Sequence, residues 1–205
     1  MHGGIKLIAG LAVALLACPA CASSHDARVR RHILESCPQS QSALSDLNSE
    51  AWKPVENALA EHRALRARLG VELPSAPAMI LVHAISSHHV TWEASAVAVR
   101  GADGRWRIDT VIEESSGLLR MESKAQPRKF ETLSAGRSRR LDSLLQDRCL
   151  YAEPDLQFRD NSVEAWYSTM DIVTPSHRRT SAWVGGSRGV TGAVADLVIG
   201  RAMDD

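Results

Sequence analysis

The stretch VTWEASAVAVRGADGRWRIDTVIE, residues 90–113, determines the fold class of this chain. Both of its halves alternate apolar and polar side chains with the period of two that is typical of β-strands. They flank the tetrapeptide GADG (101–104), whose composition favours a tight turn. The pattern predicts an antiparallel hairpin with strands over 90–100 and 105–113.

The faces of this hairpin depend on the length of its turn. A two-residue loop pairs positions that sum to 207 and a four-residue loop pairs positions that sum to 205, and both place the same side chains together. The predicted core face carries Val97, Val99, Trp106, Ile108, Thr110 and Ile112. The opposite face carries Ala94, Ala96, Ala98, Arg100, Arg105, Arg107, Asp109 and Glu113. Because three alanines give low relief, that face suits either a closely packed helix or another occupant.

Outward from the hairpin, helices and strands alternate without βαβ crossovers. On the N-terminal side the patterns predict helices over 26–36 and from Pro54 to just before Gly70, a linker over 73–77, and a strand over 79–85. On the C-terminal side they predict strands over 118–124 and 128–133, a helix capped by Ser134 that includes Cys149, a hairpin over 163–184, and a helix over 190–199. We expect one α+β domain over 23–205, with a helical part (23–72) followed by an antiparallel sheet of about five to seven strands and two further helices (79–205).

The first 22 residues have the composition of an export signal. Lys6 precedes an apolar run over 7–17, Pro19 interrupts the run, and small residues suit cleavage between Ala22 and Ser23. The run is too short to span a bilayer, which takes roughly 20 residues, so no transmembrane span is predicted. An alternative is cleavage before Cys18, which would become lipidated and give the protein its contact with a membrane.

Removing this leader changes the cysteine count more than the charge. The chain has 24 basic and 24 acidic residues, and the leader holds one of the basic ones, so the remainder is close to neutral. Such a balance argues against a nucleic-acid partner, because a phosphate backbone calls for a strongly basic face. Two cysteines remain, Cys37 and Cys149, each at the end of an apolar helical stripe. We predict that they form a disulfide in an oxidising compartment, and the alternative is two separate buried thiols.

The sharpest catalytic pattern is GGSRG (185–189), a G-x-S-x-G between a predicted strand and a predicted helix. It makes Ser187 a candidate nucleophile, although no histidine follows it in the chain. The same turn is a candidate anion site, because amides at a helix start favour negative charge. The third interpretation is a plain glycine-rich turn.

The histidines do not form a recognisable metal motif. His88 and His89 would face opposite sides of a strand, and His83 lies about 20 Å from His89 at roughly 3.3 Å per residue. We therefore expect surface or turn histidines, no metal and no cofactor.

These observations give three functional hypotheses. The first is an exported, non-enzymatic binding domain in the periplasm or outside the cell, whose partner is a protein or an envelope component. The second is a small exported serine hydrolase that uses Ser187. The third is a structural envelope lipoprotein anchored at Cys18.

Overall fold

In the described part of the chain, eight strands form one mixed, mainly antiparallel sheet, which confirms the predicted α+β class. The computed structural model describes residues 54–86, 90–116, 122–153, 155–158, 167–186 and 189–200. Its helices are α1 (Pro54–Arg68), α2 (Ala135–Leu145), α3 (Arg148–Ala152) and α4 (Gly189–Val198). Its strands are β1 (Met79–Ile85), β2 (Val90–Arg100), β3 (Trp106–Ser116), β4 (Glu122–Ala125), β5 (Lys129–Thr132), β6 (Leu156–Phe158), β7 (Tyr167–Val173) and β8 (Arg178–Val184). The predicted helix over 26–36 lies outside the described residues.

The strands follow the order β4-β3-β2-β1-β7-β8-β6, and β5 also pairs with β3. Neighbours along this order are antiparallel except β6, which runs parallel to β8 and was not predicted. At the other edge, three residues (126–128) between β4 and β5 oppose only Val111 and Ile112 of β3, which makes a bulge around Pro127. Both edges of the described sheet are therefore short or interrupted.

The register of the central hairpin corrects the predicted faces. Ala98 pairs with Ile108, so paired positions sum to 206. The Gly101 amide bonds to the Arg105 carbonyl at 2.8 Å, which encloses a three-residue loop. Gly104 in this loop has a φ of 72°, the left-handed conformation that such a bulged turn requires. A three-residue loop shifts the pairing by one position relative to both predicted loops and exchanges which side chains share a face.

One face of the sheet is apolar and carries the main core. Ala94, Ala96 and Ala98, here called the alanine row, lie on this face together with Trp106, Ile108 and Ile112, and not opposite to them. Helices α2 and α4 cover this face, and Leu141, Leu144, Val190, Val194 and Leu197 belong to the same buried cluster. The small alanine side chains allow a helix to approach the sheet closely. Of the two predicted occupants of this face, a closely packed helix is the one that covers it.

The other face, which lies beneath α1, carries buried polar side chains among the apolar residues Leu81, Val97 and Val111. Helix α1 begins at Pro54 and is followed by Gly70 in the left-handed conformation, as predicted. Leu65, His62 and Arg66 of this helix are fully buried. Buried Ser95 and Asp109 face α1 from β2 and β3 and bond to it. None of the described helices is long and apolar enough to cross a membrane.

The predicted helix through Cys149 is divided into two. Ser134 caps its start and accepts from the Arg137 amide, as predicted. Helix α2 ends at Leu145, however, and Asp147 caps α3 by accepting from the Cys149 amide at 2.8 Å. A capping aspartate inside an apolar stripe starts a new helix in a new direction.

Candidate functional site

A cleft of about 750 Å³ opens where α2 meets α3, opposite the β7–β8 turn. The corner between the two helices forms one wall and the turn forms the other. The lining residues are Ala78, Arg100, Trp106, Asp142, Leu145, Gln146, Arg148, Tyr151, Thr174, Pro175, Ser176 and His177. The volume is in the range of small-molecule sites, which run from roughly 300 to 1,000 Å³.

Asp142 fixes one end of the cleft by bonding to two neighbours. The Arg100 guanidinium donates to both of its carboxylate oxygens, at 3.0 and 2.9 Å. The indole N–H of Trp106, a side chain that is almost fully buried, donates to it at 2.9 Å. The Asp142 charge is therefore already balanced by Arg100, and the indole is held in one orientation.

The helix corner contributes an aromatic wall. The Tyr151 hydroxyl donates to the Leu145 carbonyl at 2.9 Å and ties α3 to the end of α2. Burial raises the pKa of Tyr151 although the charge of Arg179 acts against it, so the phenol stays neutral. The His177 ring lies against the Tyr151 ring with 4.8 Å between the centroids. This contact joins the two walls of the cleft.

The β7–β8 turn is rigid because its polar groups bond to one another. The Thr174 amide donates to the His177 carbonyl at 2.9 Å, and the His177 amide donates to the Thr174 hydroxyl at 3.0 Å. The Ser176 hydroxyl lies 2.8 Å from Nδ1 of His177. Neighbouring residues in a polar turn often make such bonds. No carboxylate bonds to His177 among the described residues, so this hydroxyl and imidazole lack the third group that orients a catalytic pair.

Two basic groups at the rim are available to a ligand. Arg148, the first residue of α3, is exposed and makes no hydrogen bond or ion pair within the described part of the chain. His177 is also exposed, and its Nδ1 is engaged by Ser176. No sequence motif indicated this cleft, because it arises from the helix break at Asp147 and not from any spacing of residues.

A second polar cluster lies between α1 and the sheet. The Arg66 side chain is 1% exposed and donates to Asp109 at 2.7 Å and to Ser95 at 2.9 Å. Arg128 donates to both oxygens of the same aspartate, at 2.7 and 2.8 Å. Burial acts to raise the pKa of Asp109, but the bonds from Arg128 and Arg66 outweigh it and lower that pKa. The carboxylate is thus ionised and fully engaged.

His83 lies in the same layer and corrects the prediction of a surface histidine. It is fully buried, with Nε2 2.9 Å from Glu93 and Nδ1 3.4 Å from Glu61. Burial disfavours its charged form, but the two carboxylates prevail and raise the pKa of His83. His62, at 5.5 Å between ring centroids, has its pKa lowered by burial and by the charges of His83 and Arg66. Because these groups are closed off beneath α1, we interpret them as the attachment of the helix.

The metal and catalytic candidates from the sequence are not brought together in the described regions. His88, His89 and Ser187 lie outside them. Within 54–86, 90–116 and the other described ranges, no three His, Cys, Asp or Glu side chains form a group that would hold a metal ion.

The described start of α4, which follows the glycine-rich turn, is not an open anion site. The buried carboxylate of Glu153 accepts from the Val190 amide at 2.6 Å and from the Thr191 amide at 2.9 Å. These are the first free amides of α4, and a carboxylate there offsets the positive end of the helix dipole. The chain's own side chain therefore occupies the position that an external anion would take at the start of α4.

The cysteine prediction falls partly within the described residues. Cys149 packs against the core and is disulfide-bonded. The other three cysteines of the sequence, Cys18, Cys21 and Cys37, lie outside the described ranges, as do Ala22 and Ser23.

Comparison with known proteins gives no relative. No protein-family model, no curated protein and no solved structure matches this chain.

Proposed function

We propose that this chain is an exported, non-enzymatic binding domain, and that the cleft between the α2–α3 corner and the β7–β8 turn is its binding site. The observation that carries the proposal is the preformed cleft, whose walls are fixed by Asp142, Tyr151 and Thr174 before any ligand arrives. Preorganised walls reduce the entropy lost on binding.

Two features support export. Residues 1–22 have the order of a secretory signal, and cleavage after Ala22 leaves Cys37 as the only partner for Cys149 within one chain. A disulfide suits the periplasm or the cell exterior, where thiols are oxidised. We propose the Cys37–Cys149 pairing on this basis.

A neutral dye tests the cleft. N-phenyl-1-naphthylamine fluoresces in apolar surroundings, and we expect saturable binding of one dye per wild-type chain. Ala78→Trp places a large ring at a lining position and should weaken binding by about tenfold or more, while circular dichroism remains native. Ala102→Trp, at an exposed turn position, is the matched control and should bind like wild type. Unchanged affinity in Ala78→Trp would contradict the proposed site.

The two alternative functions have tests of their own. Mass spectrometry of the mature N-terminus decides between an unmodified start at Ser23 and a lipidated Cys18. Labelling of folded protein by a fluorophosphonate, lost in Ser187→Ala, would establish the hydrolase in place of the binding domain. We expect a start at Ser23 and no labelling.

A further inference from the structure

We propose that the ligand of this cleft is a small organic anion, with an apolar body and one negatively charged group that Arg148 and His177 bind. This inference rests on the proposed function and goes further by assigning the charge of the ligand.

The charges that line the cleft leave a positive excess. Its charged and titratable side chains are Arg100, Asp142, Arg148, Tyr151 and His177. Asp142 is the single acid among them and is paired bidentately with Arg100, so these two cancel. Tyr151 is neutral. Arg148 therefore adds an unbalanced positive charge, and a charged group in a partly enclosed site attracts its counter-ion more strongly than one on an open surface.

The two basic residues come from opposite walls of the cleft, and Tyr151 connects them. Arg148 and Tyr151 are three positions apart in α3, so their side chains share one face of that short helix. The His177 ring packs on Tyr151. With Nδ1 engaged by Ser176, Nε2 is the ring nitrogen left to bond to a ligand. One anionic group placed beside Tyr151 would meet both.

The rest of the lining calls for an apolar body. Ala78, Leu145 and Pro175 offer carbon surface, and the polar atoms of Trp106 and Tyr151 are already bonded within the protein. An inorganic anion would leave this surface in contact with water and gain nothing from it. A carboxylate, sulfonate or phosphate ester attached to a ring or an acyl chain uses both parts of the cleft.

A matched pair of dyes separates charge from apolar contact. 8-Anilino-1-naphthalenesulfonate has the ring system of N-phenyl-1-naphthylamine with a sulfonate added. We expect the wild type to bind the sulfonate more tightly, and Arg148→Gln and His177→Gln each to weaken sulfonate binding by about fivefold. Binding of the neutral dye should stay within about twofold in both variants. Added salt should weaken the binding of the sulfonate dye but not the binding of the neutral dye.

Arg139→Gln is the control, since it removes an exposed arginine of α2 that does not line the cleft. Three results would each overturn the assignment of charge while leaving the cleft as the binding site. Arg148→Gln could lose affinity for both dyes equally, or keep its affinity for the sulfonate. Arg139→Gln could lose as much affinity for the sulfonate as Arg148→Gln does. Failure of the wild type to bind either dye would remove the proposed function and this inference with it.

Discussion

Glu153 shows how a single buried side chain shapes this protein. Its carboxylate lies over the start of α4, where it accepts from two amides, and the Arg179 guanidinium donates to its carbonyl at 2.8 Å. Gly189 comes so close that an added Cβ would stand 2.1 Å from Oε1. Gly189 also has a φ of 62°, which other residues rarely adopt. A glycine at this position thus makes the cap possible.

Replacing this glycine should be costly. We expect Gly189→Ala to lower the free energy of unfolding by about 1–3 kcal/mol, because it combines backbone strain with displacement of the Glu153 cap. Urea denaturation measures the difference. Gly136→Ala is the control, since its Cβ would meet nothing within 4 Å in α2, and it should be neutral or stabilising by up to about 1 kcal/mol. Equal effects of the two substitutions would contradict the role given to Gly189.

At single positions, the sequence predicted the helix caps correctly but did not predict which charged side chains are buried. Pro54, Gly70 and Ser134 act through local backbone geometry, which short patterns contain. Arg66 and His83 are buried because carboxylates from other helices or strands neutralise them, and such partners are distant in the sequence. The cleft was missed for the same reason, since Arg148 and His177 meet only through the packing of Tyr151.

At the scale of elements, α1 is held to the sheet by opposed charges as well as by Leu65. Arg68 joins Glu93 at 2.5 Å and Glu113 at 2.9 Å, next to His83. His83 has a raised pKa and His62 a lowered one, so the two histidines make the stability of this layer depend on pH in opposite directions.

We expect the stability of the wild type to be greatest near pH 6.5, the ordinary pKa of histidine. The contribution of His83 is complete below pH 6.5 and is lost as the pH rises through its raised folded pKa. The unfolded chain protonates His62 below pH 6.5, so stability also falls as the pH drops towards its lowered folded pKa. The midpoints of urea denaturation between pH 5 and 9 measure the loss of stability both above and below pH 6.5.

Substitution of each histidine tests which one causes the loss of stability above pH 6.5 and which one causes the loss below it. His83→Gln should remove the loss above pH 6.5, and His62→Gln should reduce the loss below it. Ala125→Gln, at an exposed position without a titratable group, should keep the wild-type profile. A profile that stays unchanged in His83→Gln would show that the ion pairs with Glu61 and Glu93 do not hold α1.

The alanine row fixes how closely the helices approach the apolar face. Ala96 is fully buried in the cluster that includes Ala193 and Val194 of α4. We expect Ala96→Leu to destabilise the fold by about 1–3 kcal/mol through overpacking, as measured by thermal unfolding. Ala125→Leu, at an exposed position of β4, should change stability by less than about 0.5 kcal/mol. A neutral Ala96→Leu would mean that α4 does not rest on this row.

The same row explains why the predicted faces were wrong while the strands were right. The alternation of apolar and polar residues shows that each strand has two sets of side chains, one on each face. Only the length of the turn decides which set of one strand shares a face with which set of the other. The sequence GADG suits loops of two, three or four residues, so composition alone did not distinguish them. Gly104 in its left-handed conformation selects the three-residue loop.

For the whole molecule, the proposed Cys37–Cys149 bond would link the N-terminal part to the sheet domain. We expect both thiols to resist alkylation in folded, unreduced protein, and peptide mapping to recover one linked pair. Cys37→Ser should lower the free energy of unfolding by about 4 to 5 kcal/mol, given a loop of just over a hundred residues. A linked pair that contains Cys18 or Cys21 instead of Cys37 would contradict both the pairing and the proposed leader cleavage.

The interrupted edges of the sheet have a consequence for recognition. A partner that extends a sheet needs a long, regular row of free backbone groups. Within the described residues, one edge is bent at Pro127, which has no amide hydrogen to donate, and the other ends in the three residues of β6. Other molecules should therefore recognise this protein by the shape and charge of its side chains, and concentrated solutions should stay free of strand-to-strand polymers.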